Sequence, residues 1–180
     1  MPGPPRLLLE GRPGVGKTTL AARLVELLRE DGVPVAGFIT REIRDRGRRV
    51  GFSVQAVGGE PAVLAHIEVR GPPRVGRYGV DLATFERVAL RAFADVASGS
   101  VAVIDELGKM ELFSERFRAA VLELFGAPVP VAATVMASRH QFTDTLKRNP
   151  STDVIAVTRA NRDTLPAELV PRLTANLPGL

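Results

Sequence analysis

The sequence predicts an α/β fold with a mainly parallel sheet, helices on both faces and a small antiparallel hairpin insertion. Two observations support this prediction. Short apolar runs alternate with segments of helical periodicity along the chain, which is the order typical of a parallel sheet covered by helices. A glycine-rich turn, Gly11 to Thr18, joins the first apolar run to the first helical pattern. At this length, we expect residues 1–180 to form a single domain.

The elements follow from the spacing of apolar residues. Strands are expected at 6–10, 35–40, 51–57, 62–67, 100–105, 129–135 and 153–157. Helices are expected at 18–29, 82–97, 115–125, 140–147 and, despite Pro171, 165–177. The strands at 51–57 and 62–67 form the predicted hairpin, and the segment before them, 44–49, is expected to be a turn. Residues 71–81 are a long loop of the kind that is often functional.

The glycine-rich turn, which we call the phosphate loop, fits the pattern G-x-x-x-x-G-K-[ST]. Its members are Gly11, Arg12, Pro13, Gly14, Val15, Gly16, Lys17 and Thr18; Thr19 opens the helical pattern and completes the predicted nucleotide-binding segment. Backbone amides in such a turn surround phosphate oxygens, and the helix directs its positive end at the same anion. We expect Lys17 to bridge the β- and γ-phosphates and Thr18 to bind Mg²⁺. The apolar strand and helix on either side argue against an ordinary turn with a surface lysine.

A pair of acids at the end of a buried strand predicts the second half of the site. The apolar residues Val101 to Ile104 lead into Asp105 and Glu106, the form of a Walker B strand. Asp105 is expected to hold Mg²⁺, and Glu106, on the other side of the strand tip, to face the γ-phosphate. A carboxylate there polarises water and favours hydrolysis over transfer to an organic acceptor. Helix-capping or solvated acids are the alternative interpretation.

Four further residues are candidates for a role in catalysis, and each also has an ordinary structural explanation. Thr134, the polar residue near the end of an apolar strand, is a candidate sensor of the γ-phosphate, or simply a threonine that suits a strand. Lys109, Arg77 and Arg139 are candidates for stabilising charge on the γ-phosphoryl oxygens, with Lys109 counted among the catalytic residues. Each of these cations is otherwise an ordinary surface charge.

Composition excludes several classes of protein. The absence of cysteine excludes disulfides, thiol catalysis and cysteine-ligated zinc. Two histidines cannot form a structural metal site, so Mg²⁺ arriving with nucleotide is the only metal expected. The longest apolar run, at 101–104, is too short to cross a bilayer, and no apolar segment of signal-peptide length is present. We therefore expect a cytoplasmic protein that does not bind membranes.

The formal charge of +4 raises the question of a nucleic-acid partner. The densest basic stretch lies at 41–49, and arginine supplies nearly all of the positive charge, since lysine occurs only at Lys17, Lys109 and Lys147. This bias is compatible with genome composition or growth temperature. A stripe of charge without interleaved aromatics is weak evidence for recognition. We therefore expect a solvated arginine-rich face and disfavour nucleic acid as a partner.

With its phosphate loop and its Walker B strand, the chain resembles the nucleoside-triphosphatase family of the thermophile and cancer-related type, a P-loop family. The resemblance covers nearly the whole length and is also carried by 37–44, 49–52, 75–81 and 105–112. It implies a magnesium-dependent hydrolase of low base selectivity that acts on ATP, GTP and other triphosphates. It implies nucleotide contact in the phosphate loop and at Ala102, Val103, Ile104, Asp105, Glu106, Leu107, Gly108 and Lys109. The family pattern V-T-x-x-N-R, matched at 157–162, places Asn161 and Arg162 near the base.

We therefore expect hydrolysis of ATP, GTP, CTP and UTP to the diphosphate and phosphate, by a monomer. A small nucleoside or nucleotide kinase is the first alternative, with 41–49 as an arginine-rich lid. A kinase would have to exclude water from Glu106. A nucleic-acid-stimulated ATPase is the second alternative, and it predicts stimulation that falls steeply with salt.

Overall fold

The computed structural model describes residues 3–177, so the outermost residues of the expected 1–180 domain lie outside it. The strands are β1 (Arg6–Gly11), β2 (Val35–Asp45), β3 (Arg48–Ala56), β4 (Pro61–His66), β5 (Arg74–Val75), β6 (Tyr78–Val80), β7 (Val101–Leu107), β8 (Val131–Met136) and β9 (Asp153–Ala156). The helices are α1 (Lys17–Glu30), α2 (Leu82–Ala94), α3 (Glu115–Gly126), α4 (Gln141–Lys147) and α5 (Leu165–Thr174), with a 3₁₀ turn at Glu111–Phe113.

The nine strands form a mixed sheet in the order β5-β6-β4-β3-β2-β7-β8-β1-β9. In this order, the strands β2, β7, β8, β1 and β9 are parallel to their neighbours in that set. The strands β5, β6, β4, β3 and β2 are antiparallel to theirs. Strand β8 lies between β1, which leads into the phosphate loop, and β7, which carries the acids. The carboxyl ends of β1, β7 and β8 therefore meet at one edge of the sheet, where open α/β sheets bind ligands.

Helices cover both faces of the sheet, as predicted. Helices α1 and α5 pack on one face, where Leu24 and Leu169 are fully buried in a shared apolar cluster. Helices α2, α3 and α4 cover the other face, where the rings of Phe85 and Phe117 meet edge to face with centroids 4.9 Å apart. Strand β7 is therefore buried on both sides, which explains its unbroken run of apolar residues.

The antiparallel part of the sheet is larger than the sequence predicts. Strand β2 does not end at residue 40 as expected but continues to Asp45, and the turn expected at 44–49 shrinks to Arg46 and Gly47. The hairpin predicted at 51–57 and 62–67 is confirmed as β3 and β4, but β3 also pairs with β2. The loop expected at 71–81 contains the short hairpin of β5 and β6. Local composition does not reveal these strands because they are rich in polar and charged residues and are held by pairing with a neighbouring strand.

We call residues 41–53 the hairpin extension. Its β2 half pairs only with β3, since the pairing of β2 with β7 stops at Phe38 and Ile104. The extension therefore projects past the edge of the sheet at which the parallel strands end. Elsewhere the corrections are small: α2 ends at Ala94 rather than 97, and α5 at Thr174 rather than 177. Within residues 3–177, no helix has the length and apolar character needed to cross a membrane.

Candidate active site

The phosphate loop forms a tight, partly exposed turn between β1 and α1. Gly14 and Gly16 adopt φ angles of 76° and 111°, which side chains larger than glycine rarely accept. Arg12, Pro13 and Gly14 are exposed, whereas Lys17 at the start of α1 is buried. The loop thus presents its backbone to solvent at the positive end of a helix, which suits an anion.

The ammonium group of Lys17 lies across this loop. It donates hydrogen bonds to the carbonyl oxygens of Gly11, at 2.8 Å, and Arg12, at 3.3 Å. It also lies 3.4 Å from Oε2 of Glu106. The fold therefore brings the predicted phosphate-binding lysine and the predicted catalytic carboxylate together, although they are far apart in sequence.

Asp105 lies at the end of β7 with no exposed surface and is surrounded by hydroxyl groups. Its Oδ2 atom accepts hydrogen bonds from the hydroxyls of Thr18, at 2.8 Å, and Thr40, at 3.0 Å. Its Oδ1 atom accepts one from the hydroxyl of Thr134, at 2.6 Å. Burial raises the pKa of Asp105, and these hydrogen bonds oppose that shift because they favour the ionised form.

The residues predicted to hold Mg²⁺ have the chemistry that this ion prefers. The hydroxyl of Thr18 and the carboxylate of Asp105 are adjacent oxygen donors beside the phosphate loop. In the described part of the chain, no group of three or more His, Cys, Asp or Glu side chains is placed to hold a metal. One hydroxyl and one carboxylate fit Mg²⁺, which binds through one or two side chains together with waters and substrate phosphates.

A second buried carboxyl group lies next to Glu106. Glu111, in the 3₁₀ turn after β7, is only 5% exposed. A Cβ atom built on Gly108 would lie 2.8 Å from both Oε1 of Glu106 and Oε2 of Glu111, so the bare backbone of Gly108 makes room for the two groups. Burial, and then the charge of Glu106, raises the pKa of Glu111 to about 8. Burial also raises the pKa of Glu106, against the effect of Lys17.

Comparison with known proteins places this chain in a family. A family model described as NTPase matches residues 6–170. The chain is 37% identical over 172 residues to the nucleoside-triphosphatase THEP1 of Thermotoga petrophila, covering 95% of this chain and 94% of that protein. The chain belongs to this nucleoside-triphosphatase family. The resemblance inferred from the motifs is therefore confirmed, and the family is one of hydrolases.

Two further relatives support the assignment at the level of sequence and structure. The human cancer-related nucleoside-triphosphatase is 39% identical over 178 residues, covering 91% of this chain and 94% of the relative. The crystal structure of THEP1 from the hyperthermophile Aquifex aeolicus superposes with a TM-score of 0.83 at 31% identity, covering 93% of this chain and 98% of the other. The fold of this nucleoside-triphosphatase is therefore the predicted P-loop type.

Thr134 lies at the centre of the site, but its hydroxyl contacts Asp105. Because that hydroxyl donates to Oδ1 of Asp105, it orients a carboxylate in this nucleoside-triphosphatase, and sensing of the γ-phosphate stays a prediction. The resemblance also implies nucleotide contact at the apolar residues around Asp105 and Glu106. The side chains of Ala102, Val103, Ile104 and Leu107 pack in the core and support the neighbouring acids.

The three candidate cations lie outside this cluster. Lys109 is exposed in the turn after β7, and Arg139 is exposed after β8; neither forms an ion pair within residues 3–177. Arg77, beside β6, donates to the carbonyl oxygen of Arg49 and stacks on Tyr78 instead of contacting the phosphate loop. Their catalytic roles stay predictions.

The loop after β9 reaches the phosphate loop through Arg162. The guanidinium donates to the carbonyl oxygen of Val15 at 3.0 Å, and a Cβ on Gly16 would lie 2.9 Å from its Cδ atom. Asn161 fixes the same turn: its Oδ1 accepts from the backbone of Thr158 and its Nδ2 donates to the carbonyl of Ala156. The V-T-x-x-N-R segment is thus adjacent to the loop that would bind the triphosphate.

Two residues of the site are not among those predicted from the sequence. Thr40 donates from its hydroxyl and its backbone to Asp105, and Glu111 shares the space above Gly108 with Glu106. Thr40 ends an apolar run in β2, the same signal that identified Thr134 at the end of β8. Glu111 lies within the segment 105–112 that carries the family resemblance, but nothing local indicates that its carboxyl group is buried.

Proposed function

We propose that this protein hydrolyses nucleoside 5′-triphosphates to the diphosphate and phosphate in the presence of Mg²⁺, and accepts ATP, GTP, CTP and UTP. The observation that carries the proposal is the meeting of Lys17 and Glu106 at 3.4 Å, beside the hydrogen bond between Thr18 and Asp105. A cation for the phosphates, an oxygen pair for the metal and a carboxylate for water thus share one edge of the sheet.

Binding of the triphosphate is assigned to the phosphate loop and Lys17. The exposed loop amides surround the phosphate oxygens, and the Lys17 ammonium exchanges its carbonyl partners for the β- and γ-phosphates. Thr18 and Asp105 hold Mg²⁺, which neutralises phosphate charge and orients the γ-phosphoryl group when bound. The hydroxyls of Thr40 and Thr134 keep Asp105 in a fixed orientation.

Glu106 is assigned as the general base. Its carboxylate takes a proton from water while the water oxygen forms a bond to the γ-phosphorus. The bond from that phosphorus to the β–γ bridging oxygen breaks, and its electron pair leaves on the diphosphate. The proton then passes from Glu106 to the released phosphate or to solvent. Burial raises the pKa of Glu106, which makes the carboxylate a stronger base, and the positive charge of Lys17 opposes that shift and favours the ionised form.

Weak selection among bases is supported by the state of Asn161. One oxygen lone pair and one N–H of its amide are taken by backbone groups of its own turn, which limits its capacity to read a base. Arg162 offers a planar guanidinium, which stacks on any base face. We also propose that the active form is a monomer, which light scattering under assay conditions tests.

The test is phosphate release from each of the four triphosphates with Mg²⁺ and no acceptor. Release from several nucleotides by the parent, and none by Lys17→Ala, supports a broad nucleoside-triphosphatase. Release that begins only after a nucleoside or nucleotide acceptor is added would favour the kinase alternative. Omission of Mg²⁺ should abolish release, and activity that persists in chelator would contradict the assigned role of Thr18 and Asp105.

A further inference from the structure

A groove lined with arginine lies at the tip of the hairpin extension, apart from the residues assigned to hydrolysis. Its volume is about 580 Å³, and the guanidinium-bearing residues Arg46, Arg48, Arg49 and Arg77 surround it. Val50 and Ile67 provide apolar surface in the same groove, and Asp45 is its one acidic lining residue. The groove thus combines strong positive charge with a small apolar area.

Most of this charge is not balanced by carboxylates. Arg49 forms an ion pair with Glu42 at 2.8 Å. Arg46, Arg48 and Arg77 form no ion pair within residues 3–177. The hydrogen bonds and charges of Arg49 and Arg77 lower the pKa of Tyr78, as expected beside guanidinium groups. Uncompensated guanidiniums around a concave surface attract anions.

Two of these guanidiniums are held in place by aromatic rings. Arg49 lies 5.2 Å from the ring centroid of Phe52 and 5.8 Å from that of Tyr78, and Arg77 lies 5.3 Å from the Tyr78 centroid. The basic stretch 41–49 contains no aromatic residue, but the fold places Phe52 and Tyr78 beside its guanidiniums. Stacked guanidiniums lose less freedom when they bind a ligand.

The turn at the tip carries an arginine in a conformation that arginine disfavours. Arg46 has a φ angle of 45°, and it is the one residue other than glycine with positive φ among residues 3–177. Gly47, the other central residue of this turn, has a φ angle of 79°. Two-residue hairpins with positive φ at both positions prefer asparagine, aspartate or glycine. Retaining arginine there costs stability and suggests a functional role for its side chain.

We infer that this groove binds the phosphate backbone of single-stranded nucleic acid. Planar guanidinium forks match phosphate oxygens in pairs, and several forks around one groove fit consecutive phosphates. Val50 and Ile67 offer an apolar surface to an unstacked base, which a duplex does not present. Strand β2 runs from this tip to Thr40, whose hydroxyl bonds Asp105, so one element joins the groove to the catalytic edge.

The test is fluorescence anisotropy of a labelled single-stranded oligonucleotide of mixed sequence with the full-length protein at two salt concentrations. The variant combines Arg46→Asn with Arg48→Gln. The matched control combines Arg29→Gln with Arg87→Gln, which removes the same charge from positions on α1 and α2 that lie outside the groove. We expect affinity to fall about tenfold or more in the groove variant and less than about twofold in the control, with a steep salt dependence in the parent.

Two further readouts separate this proposal from general charge effects and from the proposed hydrolysis. Arg46→Asn alone should raise the midpoint of thermal unfolding, because asparagine tolerates positive φ, while weakening binding. Equal losses in the two double variants, no binding, or equal competition by duplex DNA or inorganic polyphosphate would overturn the inference. Phosphate release without oligonucleotide should be unchanged in the groove variant. Oligonucleotide binding is measured without triphosphate, so a failure of the proposed hydrolysis would leave the binding result standing.

Discussion

The Thr134 hydroxyl donates a 2.6 Å hydrogen bond to Oδ1 of Asp105, and both side chains are buried between neighbouring strands. Thr18 and Thr40 occupy the other carboxylate oxygen. A buried carboxylate is costly unless its oxygens are hydrogen-bonded. Three hydroxyls, one each from α1, β2 and β8, therefore fix the orientation of the Asp105 carboxylate.

Replacement of Thr134 by valine should lower the stability of the fold and raise the Mg²⁺ requirement for phosphate release. Valine keeps the shape of threonine but removes the donor, so the free energy of unfolding should fall by about 1–2 kcal/mol. The Mg²⁺ concentration needed for half-maximal phosphate release should rise, because Asp105 loses its fixed orientation. Thr134→Ser keeps the hydroxyl and should recover most of both quantities. A valine variant that matches the parent in Mg²⁺ titration would show that this bond does not position Asp105.

Gly108→Ala should impair turnover more than binding. The added methyl group would occupy the space 2.8 Å from carboxyl oxygens of both Glu106 and Glu111, so at least one of these groups has to move. Displacement of the general base lowers kcat, which we expect to fall by about tenfold to a hundredfold. KM should change little, because the phosphate loop is untouched. A pure rise in KM at unchanged kcat would contradict the placement of Glu106.

Stability should decrease with rising pH because of Glu111. Its pKa is raised from 4.5 to about 8 by burial, so the folded protein holds a proton that the unfolded chain releases. The stabilising effect of that proton is present below pH 4.5 and is lost as the pH rises toward 8. The difference in unfolding free energy across this window has an upper bound of about 5 kcal/mol.

Glu111→Gln tests this dependence, because glutamine is neutral at every pH and has nearly the same shape. Urea unfolding at about pH 5, 6.5 and 8 should show a flatter profile in this variant than in the parent. The matched control is Glu123→Gln, an exposed position on α3, which should keep the parental profile. Parallel profiles for Glu111→Gln and the parent would mean that Glu111 is not a neutral buried acid.

Arg6 should be a major contributor to the stability of the fold. This buried side chain donates to the carbonyl oxygen of Phe125 at the end of α3 and to those of Ala127 and Val129 before β8. Arg6→Met should lower the free energy of unfolding by about 2–4 kcal/mol, since the carbonyls lose charged donors in a buried setting. Arg6→Lys should be intermediate, because one ammonium cannot reach all three groups. Chemical denaturation measures both, and near-parental stability in Arg6→Met would contradict this account.

The predictable parts of the molecule are those specified by contiguous sequence. The phosphate loop, the apolar strand ending in Asp105, and the alternation of strands with helices all depend on neighbours within a few residues. The resemblance added the V-T-x-x-N-R segment, and the structure explains its position through the bond from Arg162 to Val15.

The parts that could not be predicted depend on which strands become neighbours. Thr40 belongs to the site because β2 pairs with β7, which brings the Thr40 hydroxyl to Asp105. The length of β2 depends on β3, and the aromatic partner of Arg77 and Arg49 comes from the short strand β6. Burial of Glu111 likewise follows from packing around the 3₁₀ turn, whereas a glutamate in the sequence normally predicts exposure.

Nucleotide affinity and phosphate release measured together in Glu106→Gln test the central claim most directly, with Glu123→Gln as the control. Glutamine keeps the size of Glu106 but cannot accept the proton from water. The account predicts nucleotide binding close to that of the parent and phosphate release slower by about a hundredfold or more, with the control unaffected. Release at the parental rate with normal binding would show that Glu106 is not the base.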